Sequence, residues 1–386
     1  MKKHGLFIYI CILIGILGME SGGLQFNLLM ISEEFGLTTT QMGNLVSIQY
    51  LAFILIPLIF GGFGDKYGKK IIIFLFALCF ASGCLAFLLS SGFLLALAGA
   101  FLVGAGFSMC ESAGTAVLSD VYKEEAASYI NWSQSCFSAG ALLSPIVCQF
   151  ANDRLGLGWR TFFSALLAIY VVLALLALKM KFPAPVVLPK EDVKVPKTKL
   201  SSKGRILCLA FGIMISAGTE IGIAFFIGSH AKFALGTEAH NAMILSLFWI
   251  TQIPARILIG MIKKNIRTVL KLSYLLTAIS IALVAFMTTK NTLMLVYGIM
   301  GFVYAPLWPI IMGEAGNIDP NNSARITGIM TACCGIGGVV SPTIFGVIAD
   351  VLNIRASLFF VMAWALSGFV AANIYTYLSK KETSEV

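Results

Sequence analysis

Twelve stretches of this chain are each long and apolar enough to cross a lipid bilayer as a helix, which takes about 20 mostly apolar residues. They run 5–31, 41–63, 69–89, 92–118, 128–152, 158–179, 204–229, 239–262, 266–288, 291–315, 323–349 and 355–378. Composition agrees: 58% of the 386 residues are hydrophobic and 12% charged, with a mean hydropathy of +0.90. A soluble domain carries about 25% charged residues. Half that density cannot cover a water-facing surface, so a cytosolic enzyme and a disordered chain are both excluded. Gly, Pro and other small residues recur inside the stretches, as expected where membrane helices pack closely or bend.

The net charge of +9 would suggest nucleic acid in a soluble protein. Here the basic residues fall in the gaps between apolar runs, so they set orientation and no nucleic acid is expected. With the N-terminus in the cytoplasm, 22 of the 27 Lys and Arg lie on the inner side and five outside (154, 160, 232, 290 and 355). That bias predicts a multi-pass protein of the inner or plasma membrane with both termini cytoplasmic. The first stretch resembles a signal peptide, but it runs on to about Ile31 without an A-x-A site and is read as a retained helix.

The basic, proline-containing loop 180–203 divides the chain into six-helix groups, 1–179 and 204–386, and these look like repeats. Ser144-Pro145 and Asp153 recur as Ser341-Pro342 and Asp350, and Phe162-Phe163 recurs as Phe359-Phe360 at the same offset. Gly18-Met19-Glu20-Ser21-Gly22 echoes Gly218-Thr219-Glu220-Ile221-Gly222, and Pro57 matches Pro254. The expected fold is an all-α membrane protein with twelve transmembrane helices in two pseudo-symmetric bundles.

The most specific motif is Gly61-Gly62-Phe63-Gly64-Asp65-Lys66-Tyr67-Gly68-Lys69-Lys70, in the short loop after the second stretch. Its glycines permit a tight turn, and Asp65 can face the positive end of a helix. It is read as a conformational latch built from Gly61, Asp65, Gly68, Lys69 and Lys70. The plainer alternative is a solvated loop whose lysines only set topology, which would require neither the glycines nor the aspartate.

Three carboxylates fall well inside predicted spans: Glu20, Glu111 and Glu220. A charge at mid-bilayer costs about 2.5–3.5 kcal/mol or more, so a group there that gains and loses a proton as its access to water changes is a natural coupling site. The alternative is a glutamate that only ties helices together. Ser108 and Thr115 share a face with Glu111; Asn27 lies two turns from Glu20; Asn131, Gln134 and Ser138 share a face of the fifth helix. These stripes are expected to converge on a polar cavity between the bundles, or else to serve as interhelical hydrogen bonds. Tyr297, Gly301, Tyr304 and Trp308 recur at helical spacing in the tenth helix, and Trp249 and Gln252 share a face with Arg256 in the eighth. Aromatic faces can stack on a sugar ring, though such stripes are more often packing.

No P-loop, G-x-S-x-G, H-E-x-x-H or Cys/His zinc spacing occurs. The chain is therefore read as a non-enzyme with no cofactor and no metal, driven by an ion or solute gradient. The nine cysteines all lie in apolar runs and are read as packing residues.

The 61–70 loop resembles the G-x-x-x-D-x-x-G-[RK]-[RK] motif of the major facilitator superfamily. The runs Gly104-x-Gly106 through Glu111, Asn131-x-x-Gln134-x-x-Phe137-x-x-Gly140, Gly218-x-Glu220 and Pro306-Leu307-Trp308-Pro309 make the chain similar to the fucose–proton symporter family. The resemblance implies alternating access, proton-coupled monosaccharide uptake, Glu111 handling the proton, and Asn131 and Gln134 near the substrate. It also points Asp65 at the eleventh helix. The family's aspartate late in the first helix is absent, and Leu24-Gln25-Phe26-Asn27 stands there.

The expected function is secondary active transport of a small polar solute, a sugar or related metabolite, by proton symport in a bilayer, with a single copy sufficient. Glu111, Glu20 and Glu220 are the candidate proton-coupling residues. Asn27, Asn131, Gln134, Trp249, Gln252, Tyr304 and Trp308 are the candidate solute contacts. The alternatives are a proton-antiporting exporter of drugs or metabolites and a non-transporting membrane receptor.

Overall fold

A computed structural model describes residues 3–60, 63, 67–122, 126–183, 200–261, 265–318 and 323–384. The chain forms two compact units, Met1–Lys190 and Glu191–Val386, and the described residues contain helices and no strand.

The first unit contains α1 (Lys3–Phe35), α2 (Thr39–Phe60), α3 (Lys69–Leu89), α4 (Phe93–Tyr122), α5 (Ala126–Leu155) and α6 (Trp159–Lys179). Each matches one predicted span. Among the described residues eleven helical spans are long and apolar enough to cross a membrane, two of them, Asn241–Ile259 and Lys290–Ala315, made of two consecutive shorter helices. The exception is α5, whose 30 residues are long enough, at about 45 Å, but include Asn131, Gln134, Gln149, Asn152 and Asp153 together with several serines.

The second unit contains α7 (Leu200–Ala224), α8 (Ile227–Leu235), α9 (Asn241–Ile250), α10 (Gln252–Met261), α11 (Ile266–Val284), α12 (Lys290–Tyr304), α13 (Leu307–Ile318), α14 (Ser323–Val351) and α15 (Ile354–Ser384). Three spans expected to be continuous are therefore interrupted. Proline cannot donate to the carbonyl four residues back, so Pro306 and Pro309 break the span of α12 and α13, and Pro254 loosens α9 and α10 at Thr251. The break between α7 and α8 contains no proline. Phe225 and Phe226 are both buried there, and the Phe226 ring stacks on Phe345 of α14 at 4.2 Å.

The same pairings recur inside each unit. α1 packs on α5 as α7 packs on α14, and α3 packs on α4 and α6 as α11 packs on α12 and α15. The α1–α5 crossing brings backbones together: a Cβ on Gly18 would meet the Phe137 carbonyl, one on Gly22 the Ala141 carbonyl, and one on Gly140 the Gly15 carbonyl. In the second unit a Cβ on Gly337 would meet the Met214 carbonyl, and one on Gly222 the Ser341 hydroxyl at 2.5 Å. Small residues at such positions are the usual means of close membrane-helix packing. The α3–α6 seam is aromatic, with Phe80 stacked on Tyr170 at 3.7 Å and Phe87 on Phe163 at 4.2 Å.

Candidate proton and solute sites

In the first unit, Glu111 and Gln134 meet across α4 and α5. Gln134 Nε2 donates to Glu111 Oε1 at 3.3 Å, and both residues keep partial exposure. Ser108 is turned inward and donates to the Ala105 carbonyl, while Ser138 donates to the Gln134 carbonyl. An aromatic series flanks the pair: Tyr50 stacks on Phe53, Phe53 lies 4.8 Å from Phe107, and Phe107 meets Phe137 edge-on at 6.1 Å. The sequence reading did not single out Tyr50, Phe53 or Phe107. Phe107 lies four residues before Glu111 and Phe137 three after Gln134, so helical periodicity carried the signal for these two.

Glu20 is in a different setting. It is fully buried, and Gln49 Nε2 of α2 lies 3.2 and 3.3 Å from its two oxygens. Gln49 was also not anticipated. Asn27 is equally buried: its Nδ2 donates to the Gly23 carbonyl at 2.8 Å and to Cys148 Sγ at 3.5 Å. The expected stripe from Glu20 to Asn27 therefore lies inside the helix packing and opens on no exposed face. Asn131 belongs to α5, but its side chain lies outside the described residues.

In the second unit the cluster is denser. The Tyr304 hydroxyl of α12 lies 3.1 Å from Glu220 Oε2 of α7, and also 3.1 Å from the Ser216 hydroxyl and the Ser216 carbonyl. Arg256 Nη2 of α10 donates to Gln252 Oε1 at 2.9 Å, and the guanidinium is close enough to act electrostatically on Glu220. Arg256 therefore belongs to this carboxylate's surroundings. Trp249 is buried edge-on against Phe248.

Of the series expected along the tenth span, Tyr297, Gly301 and Tyr304 lie on α12 and Trp308 does not. The break at Pro306 puts Trp308 on α13, where it is 47% exposed. Tyr297 and Tyr304 are buried on α12, and the Tyr297 hydroxyl lies 2.9 Å from His230 Nδ1.

Of the loop motif, Gly61 and Asp65 lie outside the described residues. Gly68 precedes α3 with φ 93° and ψ 140°, a backbone that side-chain-bearing residues rarely adopt. Lys69 then forms an ion pair with Asp120 at the end of α4, and Lys70 donates to the Leu178 carbonyl at the end of α6. A cation at a helix C-terminus complements its dipole. The second unit repeats the arrangement: Arg267 Nε at the start of α11 donates to Glu314 Oε2 of α13 at 2.9 Å, and the Tyr375 hydroxyl donates to the same oxygen at 2.5 Å. At the other end of the first unit Arg160 pairs with Glu34, donates to the Ser90 carbonyl at 2.7 Å and lies over the Trp159 ring at 4.3 Å. All nine cysteines are free thiols.

Solved transporters share this fold at low sequence identity. A bacterial homologue of the human lysosomal transporter Spinster, inward-facing and unoccupied, aligns with a TM-score of 0.79 and 13% identity over 98% of this chain and 99% of its own. A peptide transporter, POT, aligns at 0.81 and 14% over 98% and 94%. The E. coli fucose:proton symporter FucP aligns at 0.66 and 18% over 96% and 98%. These values do not single out the fucose symporter. The family model "Major Facilitator Superfamily" matches residues 10–262 and 206–386. This multi-pass membrane protein, a secondary transporter and not an enzyme, belongs to the Major Facilitator Superfamily.

Proposed function

We propose that the chain carries a small polar solute, a sugar or related metabolite, across the inner or plasma membrane by proton symport with alternating access. Both termini are cytoplasmic, and a single copy suffices. The observation that carries this reading is the Glu111–Gln134 pair: a carboxyl inside a span, partly exposed, held by a neutral amide at 3.3 Å. An amide donor accommodates the carboxyl with or without its proton, whereas a fixed cation would hold it charged. Glu111 takes and releases the coupling proton. Gln134, Asn131 and the aromatic series beside them receive the solute, with ring stacking against Phe137 or Phe53.

Glu220, Tyr304, Gln252 and Arg256 form the corresponding polar cluster of the second unit, with Trp249 and Trp308 as further candidate contacts. Glu20 assists coupling from its closed position beside Gln49, near Asn27. Gly61, Asp65, Gly68, Lys69 and Lys70 act as the conformational latch.

The test is solute-induced proton movement in proteoliposomes across a panel of sugars and other metabolites. Alkalinisation outside on addition of one sugar supports symport. A second reading is proton-antiporting export, which the apolar series Tyr50, Phe53, Phe107 and Phe137 favours. Acidification on addition of an apolar solute would support it and overturn the first.

A further inference from the structure

Arg160 and Arg355 are the second residues of α6 and α15, helices that hold corresponding places in the two units. In the first unit the chain itself supplies the guanidinium with an anion. Arg160 pairs with Glu34 at the end of α1, donates to the Ser90 carbonyl at 2.7 Å, and lies over the rings of Trp159 and Phe35 at 4.3 and 5.8 Å. In the second unit the rings are present and the anion is not. Arg355 Cζ lies 5.6 Å from the centre of the Phe286 ring and 6.0 Å from that of Phe233. Among the described residues Arg355 has no ion-pair partner, and its buried Nε meets no hydrogen-bond acceptor. The helix beside it, α8, carries no acid, and Glu238 beyond that helix pairs with Lys232 at 2.8 Å.

These groups stand where membrane spans end. Arg355 is the second residue of the span Ile354–Lys381, and Phe286 lies two residues past the span Ile266–Val284. Span ends are where a membrane protein meets the phosphates of the lipid headgroups. The surface around the cation is apolar and open: Phe286 is 59% exposed, and Phe233 and Leu283 are each 49% exposed. Phe286 also meets Phe359, one turn along α15 from Arg355, edge-on at 5.8 Å. A guanidinium without a counter-ion attracts a phosphate, which it can hold through two parallel N–H···O bonds. The exposed rings add a demand that a free inorganic anion does not meet, because they remain in contact with water unless the anion carries a hydrocarbon chain.

We propose that Arg355, Phe286 and Phe233 form a binding site for an anionic phospholipid. The lipid phosphate accepts from the Arg355 guanidinium, and an acyl chain lies against Phe286 and Leu283. The bound lipid supplies to the second unit the negative charge that Glu34 supplies to the first, and it bridges the start of α15 to the end of α11. The zwitterionic lipids fit less well, because their own headgroup cation competes with Arg355 for the phosphate. The inference is independent of which solute is carried and in which direction.

The test uses the full-length purified chain in detergent, titrated with dioleoylphosphatidylglycerol and, separately, with dioleoylphosphatidylcholine, with bound lipid read by native mass spectrometry. Arg355→Gln is expected to weaken binding of the first phosphatidylglycerol about tenfold, the equivalent of about 1.4 kcal/mol, and to leave phosphatidylcholine unchanged. Phe286→Ala is expected to weaken phosphatidylglycerol as well, and Lys290→Gln, a nearby surface cation, to leave it unchanged. Arg355→Lys keeps the charge and loses the fork, so it should fall between the unsubstituted chain and Arg355→Gln; it also serves if the glutamine variant is not monodisperse. Equal affinity of Arg355→Gln and the unsubstituted chain for phosphatidylglycerol overturns the proposal. Displacement of the lipid by excess inorganic phosphate, together with no effect of Phe286→Ala, assigns the cation to a free anion and overturns it too.

Discussion

Lys69 at the start of α3 pairs with Asp120 at the end of α4, and Arg267 at the start of α11 pairs with Glu314 at the end of α13. The two ion pairs join corresponding helices of the repeat, though at its offset Lys69 and Asp120 fall on Ile266 and Asn317 and not on Arg267 and Glu314. Part-exposed pairs contribute about 0–1 kcal/mol, so their loss changes stability little. Asp120→Lys is expected to lower the transport rate with a shift in melting temperature of no more than a few degrees. The exchange Lys69→Asp with Asp120→Lys is expected to restore the rate. Initial uptake into proteoliposomes, measured beside thermal unfolding, checks both.

Glu111→Gln is expected to abolish proton-driven accumulation and spare solute exchange at equal pH. One charge crossing 100 mV supplies about 2.3 kcal/mol, which at about 1.4 kcal/mol per tenfold permits roughly 40-fold accumulation. The variant should therefore fall from that order to no gradient. Counterflow at equal pH on both sides is the control, and retained accumulation would remove Glu111 from coupling.

The second-unit cluster gives a prediction about stability. Tyr304→Phe removes the hydroxyl shared by Glu220 and Ser216 and leaves polar groups without that partner, at a cost of about 1–3 kcal/mol. Arg256→Met removes the cation beside Glu220, with an expected cost of about 3–5 kcal/mol. Adding Glu220→Gln to Arg256→Met should recover much of that loss, because the carboxylate left behind is then neutral. Unfolding of the unsubstituted chain, Arg256→Met, Glu220→Gln and the double variant in one detergent measures the coupling.

At the α1–α5 crossing, Gly18→Leu and Gly22→Leu drive a side chain into the carbonyl groups of Phe137 and Ala141. Overpacking of this kind costs about 1–3 kcal/mol or more. Gly5→Leu, where no atom lies within 4 Å of the added Cβ, serves as the comparison. The expected result is normal yield of monodisperse protein for Gly5→Leu and a marked loss for the other two, read by size-exclusion chromatography.

Much of this was legible in the sequence because bilayer thickness fixes helix length: the span positions follow from apolar runs alone. The repeat was visible in Gly18, Gly22, Gly218 and Gly222, and the structure gives the reason, since the crossings in both units leave little room for a side chain. The interruptions were partly hidden. Pro306 and Pro309 were visible, but Phe225-Phe226 carries no breaking signal in sequence, and the contact of Phe226 with Phe345 of α14 appears only in the fold. Glu111 and Gln134 were chosen from neighbouring helices on periodicity, and they meet. Gln49 was missed because one amide in an apolar span identifies no partner until the fold brings α2 to α1. Asn27 and Trp308 show the converse: helical spacing gives the face on which a residue lies, and a neighbouring helix or an interruption decides what that face meets.

The interruptions at Phe225, Thr251 and Pro306 all fall in the second unit, whereas Pro57 and Pro145 sit inside unbroken helices of the first. Pro306 and Pro309 remove two backbone donors within one turn, and proline is a usual site of sharp helix kinks. Among the described residues the helical ladder is thus broken at three places in the second unit and runs on through Pro57 and Pro145 of the first.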